Sequence, residues 1–281
     1  MKLLDSLSDA AGRFNEDGIY IDRHLACVLD GATSLKRGAT LSQAEDPADN
    51  DAIWCVEAIK KHFNAYSALA ADPHALVRNI QQALGRDYKG ATDYYPSSAM
   101  AYACEDGDEL VMAQLGDTPI VLAMTDGSTK VLPGDPRIKR HESGVMKKVA
   151  QMIADHPDFA LADFRQGVFE DIASLRSRMN EANGYGTLSP KPDALPHLIV
   201  TRHKRSAVKN ALLMSDGFFA ICETFRACSA GDLMARALAP SGLKDIVREL
   251  RRIQAEDEPC RKFPRLKKGD DATAILIQVS P

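Results

Sequence analysis

Short apolar runs that meet acidic residues recur along this chain. Leu25 to Leu29 runs into Asp30-Gly31, Leu110 to Leu115 into Gly116-Asp117, and Ala211 to Met214 into Ser215-Asp216-Gly217. Gly269-Asp270-Asp271 opens the last such run, Ala274 to Val279. Runs this short, bounded by turn residues, predict buried strands. Ile19-Tyr20-Ile21 and Leu25 to Leu29 flank Asp22-Arg23-His24 and predict a hairpin. Ser97 to Cys104, Glu109 to Leu115 and Pro119 to Ala123 predict further strands, with Glu105-Asp106-Gly107-Asp108 turning between the first two. Asp126-Gly127 signals another hairpin before Thr129 to Leu132. Pro196 to Arg202, Lys209 to Met214 and Ala272 to Val279 close the strand set, and amphipathic residues 1–14 lead into the first strand.

Helical spacing appears in Ile53, Trp54, Val56, Ile59, Lys60 and Phe63, preceded by Asp49, Asn50 or Asp51 as N-cap. It returns after Asp72-Pro73 in Leu76, Val77, Ile80 and Leu84, and again over 229–239 and 241–254. Residues 31–50 are small, polar and acidic, which predicts a loop. Residues 133–195 differ from the rest. They hold Pro133, Pro136, Pro157, Pro190, Pro192 and Asn183-Gly184-Tyr185-Gly186, with helical stretches over 142–154 and 168–182. This predicts a helical, flap-like insert without a core of its own, within a single domain spanning 1–281. Its apolar stripe Val145, Met146, Val149 is read as packing. Strands grouped in hairpins with helix pairs between them imply layered, mainly antiparallel sheets covered by helices.

Composition narrows the reading. The chain has 281 residues, 45% hydrophobic and 26% charged, which suits a globular protein with a sizeable core. A net charge of -4 argues against a general nucleic-acid binder. No apolar run is long enough to span a membrane, and Met1-Lys2-Leu3-Leu4-Asp5 begins no secretory signal. Cys27, Cys55, Cys104, Cys222, Cys228 and Cys260 form no C-x-x-C pair, so they read as reduced thiols of a cytoplasmic protein and not as a zinc site.

The acidic residues carry the candidate chemistry. An ionised carboxylate beside a buried strand is costly to desolvate unless a positive group meets it. Several such carboxylates, far apart in sequence but each at a strand end, suggest one shared cation site. Oxygen donors suit hard ions such as magnesium, manganese or calcium. Asp46 to Glu57 superficially resembles a calcium loop, but Ala48 and Asp51 occupy positions that need a ligand and a glycine. No nucleotide-binding glycine motif and no H-E-x-x-H is present, and the seven histidines are scattered.

Taken together, Asn15-Glu16-Asp17, Val28-Leu29-Asp30-Gly31, Leu115-Gly116-Asp117-Thr118, Met214-Ser215-Asp216-Gly217 and Gly269-Asp270-Asp271-Ala272-Thr273 resemble, in order, the blocks of the metal-dependent type 2C protein phosphatases. The resemblance spans residues 9–279 and implies an α+β fold, a four-layer α-β-β-α sandwich of two antiparallel sheets. It also implies a binuclear Mn²⁺ or Mg²⁺ centre that activates water to dephosphorylate serine or threonine in a phosphorylated protein. On this resemblance Asp30 bridges both ions, and Asp216 and Asp270 complete one shell. Glu16 and the carbonyl of Gly31 serve the other, Asp17 holds a bound water, and Arg13 binds phosphate. Asp117 would serve a third ion, which is left open.

The chain also departs from the family pattern. Ala32-Thr33-Ser34 follows Gly31 where many members have a histidine acid, as is also so in many bacterial members. Arg13 lies three residues before Glu16 where the family has four. Ala220 stands where the third ion's second acid is expected, and Thr118-Pro119 replaces Ser-Arg. Asp271 is read as a surface or supporting residue. The basic run Arg261 to Lys268 reads as a solvated loop or as a positive rim, to which Arg202, Lys204, Arg205 and Lys209 would add. Two rival functions stay open: a non-catalytic phosphoprotein-binding module, and a phosphatase of a small phosphorylated metabolite. Oligomeric state is not legible.

Overall fold

The structure, a computed structural model, describes residues 1–32, 50–90 and 95–279. The loop expected over 31–50 lies almost wholly outside the described residues, with Thr33, Ser34 and the cap candidate Asp49. Among the described residues, ten strands form two five-stranded sheets. One runs in the order β1 (Lys2–Asp9), β10 (Ala272–Gln278), β9 (Val208–Met214), β6 (Ile120–Met124), β7 (Thr129–Leu132). The other runs β2 (Gly18–Ile21), β3 (Leu25–Ala32), β4 (Ser97–Asp106), β5 (Glu109–Leu115), β8 (Ile199–Lys204). Every neighbouring pair is antiparallel.

The central strands β3, β4, β5, β9 and β10 are mostly apolar on both faces, because each sheet is covered on both sides there, whereas the edge strands β1, β7 and β8 carry polar, exposed residues. Ala26 and Val28 of β3 face inward, with Ala101, Ala103 and Met112, onto Leu122, Leu213 and Ile275 of the opposite sheet. Leu25, Cys27 and Leu29 face outward onto α1 (Asp51–Tyr66) and α2 (Pro73–Asp87). Leu212, Met214, Ala274 and Leu276 do the same for α6 (Asp216–Glu223), α7 (Ala230–Ala237) and α8 (Gly242–Glu256). The result is the expected α-β-β-α sandwich. Each fully buried large side chain, such as Phe63 or Phe218, contributes about 1.5–3 kcal/mol.

The helix starts follow the predicted chemistry. Asn50 caps α1, accepting from the N–H groups of Ala52 and Ile53. Asp72 caps α2 just before Pro73. The same Asp-Pro signal, Asp135-Pro136, starts α3 (Pro136–Asp155), so this helix begins earlier than the 142–154 expected. Beyond it come α4 (Leu161–Gly167) and α5 (Phe169–Ser177). The stretch expected to run to 182 stops at Ser177, ahead of Asn180, which takes a left-handed φ of 58°. The insert does carry a small apolar cluster of its own, Val145, Val149, Phe164 and Val168, contrary to the expectation of none. Residues Lys2–Asp9 are already the first strand and do not merely lead into it. A single 3-10 turn over Leu195–His197, started by Pro196, delays β8 to Ile199. The helix α6 was not anticipated. No described helix is long and apolar enough to cross a membrane.

Candidate metal centre

The sheet topology brings the acidic blocks to one end of the sandwich. Asp30 lies in β3 opposite Ala99 at the start of β4. Gly116-Asp117-Thr118-Pro119 carries the chain from β5 in one sheet to β6 in the other, so Asp117 sits on the rim between them. Gly116 is needed there: its φ is 82°, and a Cβ would lie 2.5 Å from that of Ala99. Asp216 is the first residue of α6, with only Ser215 between it and β9, and Asp270 lies two residues before β10, the strand paired with β9.

These carboxylates meet. The backbone N–H of Asp216 donates to Oδ2 of Asp30 at 3.2 Å. Asp30 feels the negative charges of Asp216, Asp17, Asp117 and Asp270. Asp117, Glu142 and Asp216 each place a carboxylate oxygen within 4.8 Å of the others. Asn50 fixes the Glu16 side chain: its Nδ2 donates to Glu16 Oε1 at 2.7 Å while its Oδ1 caps α1. A Cβ on Gly31 would lie 2.2 Å from the carbonyl oxygen of Glu16, so a side chain is excluded where these two segments touch. Arg13 is exposed, with its guanidinium 5.1 Å from the Phe14 ring centroid.

A polar frame fixes the segments. Asp271 accepts from the N–H groups of Ala11 at 2.8 Å and Glu16 at 2.7 Å, so it supports the Glu16-Asp17 segment. Arg251 of α8 donates to the carbonyl of Asp270 at 2.7 Å and pairs with Asp9 at 2.8 Å. Ser215 and Thr273 lock β9 to β10, the Thr273 N–H donating to Ser215 Oγ at 3.0 Å. Lys267 Nζ reaches both oxygens of Asp270, at 2.8 and 3.0 Å. The rest of the basic run is partly structural: Arg265 forms an ion pair with Asp257 at 2.6 Å, and both are nearly buried. Arg202 pairs instead with Asp106 and Glu109 at the far end of the sheet. Lys204 is paired in register with Glu109 at that end, Arg205 pairs with Glu105, and Lys209 is the second residue of β9, at the end away from Asp216, so this group does not add to a rim at the acids.

The electrostatics demand a positive partner. The site acids are half-buried but hemmed in by protein, and burial is the first cause that raises Asp30, Asp17 and Asp216 above the ordinary carboxyl range. Mutual repulsion adds to it. Asp117 is pushed up to about 7, by burial and then by Asp216. The Lys267 side chain is exposed; desolvation by the protein around its ammonium pulls it down, but the charge of Asp270 and its hydrogen bonds outweigh this and raise it. Lys267, with Lys139 and Arg176 acting on Asp117, still leaves the pKa values of Asp17, Asp30, Asp117 and Asp216 raised. Asp17 Oδ2 is buried with no hydrogen-bond partner among the described residues. An orphaned carboxylate oxygen in an all-oxygen, mutually repelling donor set fits a hard divalent cation.

Without cation, these raised values make the folded chain hold protons that the unfolded chain releases. The stability they contribute is complete below the ordinary carboxyl pKa of about 4 and is lost as pH rises through the raised values. Metal-free Asp30→Asn should therefore melt above the parent at about pH 8, with the gap closing near pH 4. Excess Mn²⁺ should lift the parent more than the variant. Thermal unfolding by circular dichroism checks this, and a metal-free variant that melts below the parent at the higher pH would contradict the repulsion.

Glu142 escaped sequence reasoning because it belongs to the insert. A signal was present. Glu142 stands on the α3 face with Ile138, Val145 and Val149, an acid set into an apolar stripe. Glu142 is exposed to solvent, yet desolvation by the surrounding protein first, then Asp117 and Asp216, raise its carboxyl group. Arg176 and Lys139 of the insert also act on Asp117 and favour its charged form.

Two antiparallel sheets wrapped in helices, with this acid cluster at one end, define a hydrolase of the metal-dependent phosphatase class. The chain belongs to the protein phosphatase 2C family, whose model matches residues 8–253. Solved structures share the fold at low sequence identity. The catalytic domain of the serine/threonine protein phosphatase PstP, in complex with two manganese ions, aligns with a TM-score of 0.56 and 15% identity, covering 99% of this chain and 96% of that one. Stp1 from Staphylococcus aureus gives 0.55 and 12%, covering 100% and 96%. MsPP from Mycobacterium smegmatis, in complex with cacodylate, gives 0.51 and 16%, covering 100% of both. No curated protein matches the sequence.

Proposed function

We propose that this chain is a Mn²⁺- or Mg²⁺-dependent phosphomonoester hydrolase that acts on phosphoserine or phosphothreonine in proteins. The observation that carries the reading is the convergence of Asp17, Asp30, Asp117, Asp216 and Asp270, with Asp17 Oδ2 left unpartnered, at one end of the sandwich. Asp30, Asp216 and Asp270 would hold one ion, and Asp30, Glu16 and the Gly31 carbonyl a second. When bound, such ions supply Lewis-acid activation of water and neutralise phosphoryl charge. The PstP catalytic domain binds two manganese ions, which supports the same count here. Asp117, Glu142 and Asp216 would hold a third ion, with Glu142 replacing the acid missing at Ala220.

The chain's own groups do the rest. Asp17 Oδ2 accepts a hydrogen bond from the attacking water and orients it. Arg13 binds the phosphoryl oxygens through charge-assisted hydrogen bonds. The insert, which reaches the acids through Lys139, Glu142 and Arg176, shapes the substrate side of the cleft. A cytoplasmic location and a phosphoprotein partner, without nucleic acid or membrane, complete the reading, supported by six free thiols and the chain's net negative charge.

Assays with Mn²⁺ on an aryl phosphate, on phosphopeptides and on small phosphorylated metabolites test this. Hydrolysis of the aryl phosphate and phosphopeptides is expected. Hydrolysis of metabolites alone would make it a metabolite phosphatase, and turnover of none by a metal-loaded sample would make it a binding module. Arg13→Ala should raise KM for a phosphopeptide roughly tenfold with a smaller change in kcat. Unchanged steady-state constants would remove Arg13 from the site.

A further inference from the structure

A pair of thiols lies at the far end of the helix that carries Asp216. Cys222 is in the last turn of α6, and Cys228 directly precedes Ser229, the N-cap of α7. Their sulfur atoms are 3.5 Å apart, about 1.5 Å beyond a disulfide bond length. The approach is built into the backbone. The Ala227 N–H donates to the carbonyl of Ile221 at 2.9 Å, which sets residues 222 and 228 side by side. The Phe225 N–H donates to Ala220 at 2.9 Å, and Arg226 takes a left-handed φ of 51° to complete the reversal. Phe218, Phe225 and Leu233 belong to the core against which both cysteines pack.

The other four cysteines contrast with this pair. Cys27, Cys55, Cys104 and Cys260 are buried, whereas Cys222 and Cys228 are half-exposed. Burial raises the thiols of Cys27, Cys55 and Cys104 and keeps them inert. Burial, followed by the hydrogen bond with Cys228, raises Cys222 as well.

We propose that Cys222 and Cys228 form a peroxide-oxidised disulfide site that braces the carboxyl end of α6. The thiolate of one cysteine attacks one oxygen of hydrogen peroxide, giving a sulfenic acid and hydroxide, which takes up a proton to become water. The sulfur of the other, 3.5 Å away, then attacks the sulfenic sulfur, the S–S bond forms, and a second water leaves with that cysteine's proton. Two thiols and one peroxide thus become one disulfide and two waters. The bond closes beside Glu223, which pairs with Lys139 of α3 at 2.7 Å, so it stiffens the point where the insert is tied to α6. The site stands whether or not the metal centre is loaded.

The whole chain, exposed to hydrogen peroxide, alkylated, denatured and cut after lysine and arginine, tests the proposal. Cleavage after Arg226 separates the two cysteines, so the disulfide must appear as peptides 210–226 and 227–236 joined, lighter than their sum by two hydrogens. Dithiothreitol should separate them, and Cys222→Ser and Cys228→Ser should each remove the link. The oxidised parent should melt about 2–8 °C above its reduced form. Recovery of both cysteines unlinked, their overoxidation to sulfinic acids, or their pairing with other cysteines would overturn the site. A cross-linked chain that melts lower would overturn the bracing.

Discussion

Asp216→Asn should lower kcat for phosphomonoester hydrolysis by about a thousandfold or more in saturating Mn²⁺ while the fold survives. Asparagine keeps the size of the side chain and leaves the backbone N–H that donates to Asp30 in place. It removes one anionic oxygen donor from the set shared by Asp30, Asp117, Glu142 and Asp270. It also removes a repelling charge, so the metal-free variant should unfold no earlier than the parent. Kinetics and circular dichroism separate the two effects. Full turnover by the variant would show that Asp216 ligates nothing.

Gly217→Ala should be nearly as damaging, although its side chain would do no chemistry. A Cβ there would lie 2.0 Å from the carbonyl oxygen of Asp271 and 3.0 Å from the Cβ of Asp270. Backbone cannot give way as a flexible side chain can, so α6 and the Asp270-Asp271 segment must part. The expected cost is about 2–4 kcal/mol of stability. Because the clash falls between two ligand-bearing segments, Mn²⁺ affinity should fall at least roughly tenfold. Gly144→Ala is the internal control, since nothing lies within 4 Å of its Cβ position in α3. That change should be neutral or slightly stabilising. Denaturant unfolding and calorimetric Mn²⁺ titration measure both, and equal behaviour of the two variants would contradict the close packing at Gly217.

The central strands were legible because each is a short apolar run between turn residues, and Asp22-Arg23-His24 and Asp126-Gly127 mark hairpins by local chemistry alone, whereas the polar edge strand β1 was not. The layer order was legible for a related reason. Apolar residues on both faces of β3 can be satisfied only if a sheet covers one side and helices the other. The helix α6 was missed because its eight residues, DGFFAICE, are too few and too apolar for a 3.6-residue period to stand out. Asp30, Asp216 and Asp270 announced themselves as charges against buried runs. Glu142 did not, since its partners lie across the fold from a segment that reads locally as an ordinary amphipathic helix. Asn50 was legible as a cap, but nothing local could tell that its amide also holds Glu16. Lys267 and Arg251 take their roles from contacts made only in the folded chain.

Anomalous diffraction from crystals soaked in Mn²⁺ tests the central claim most directly. The account predicts peaks at the acid cluster, one among Asp30, Asp216 and Asp270 and one among Asp30, Glu16 and the Gly31 carbonyl, with any third at Asp117, Glu142 and Asp216. A catalytically active crystal soaked in Mn²⁺ with no peak among those acids would contradict it.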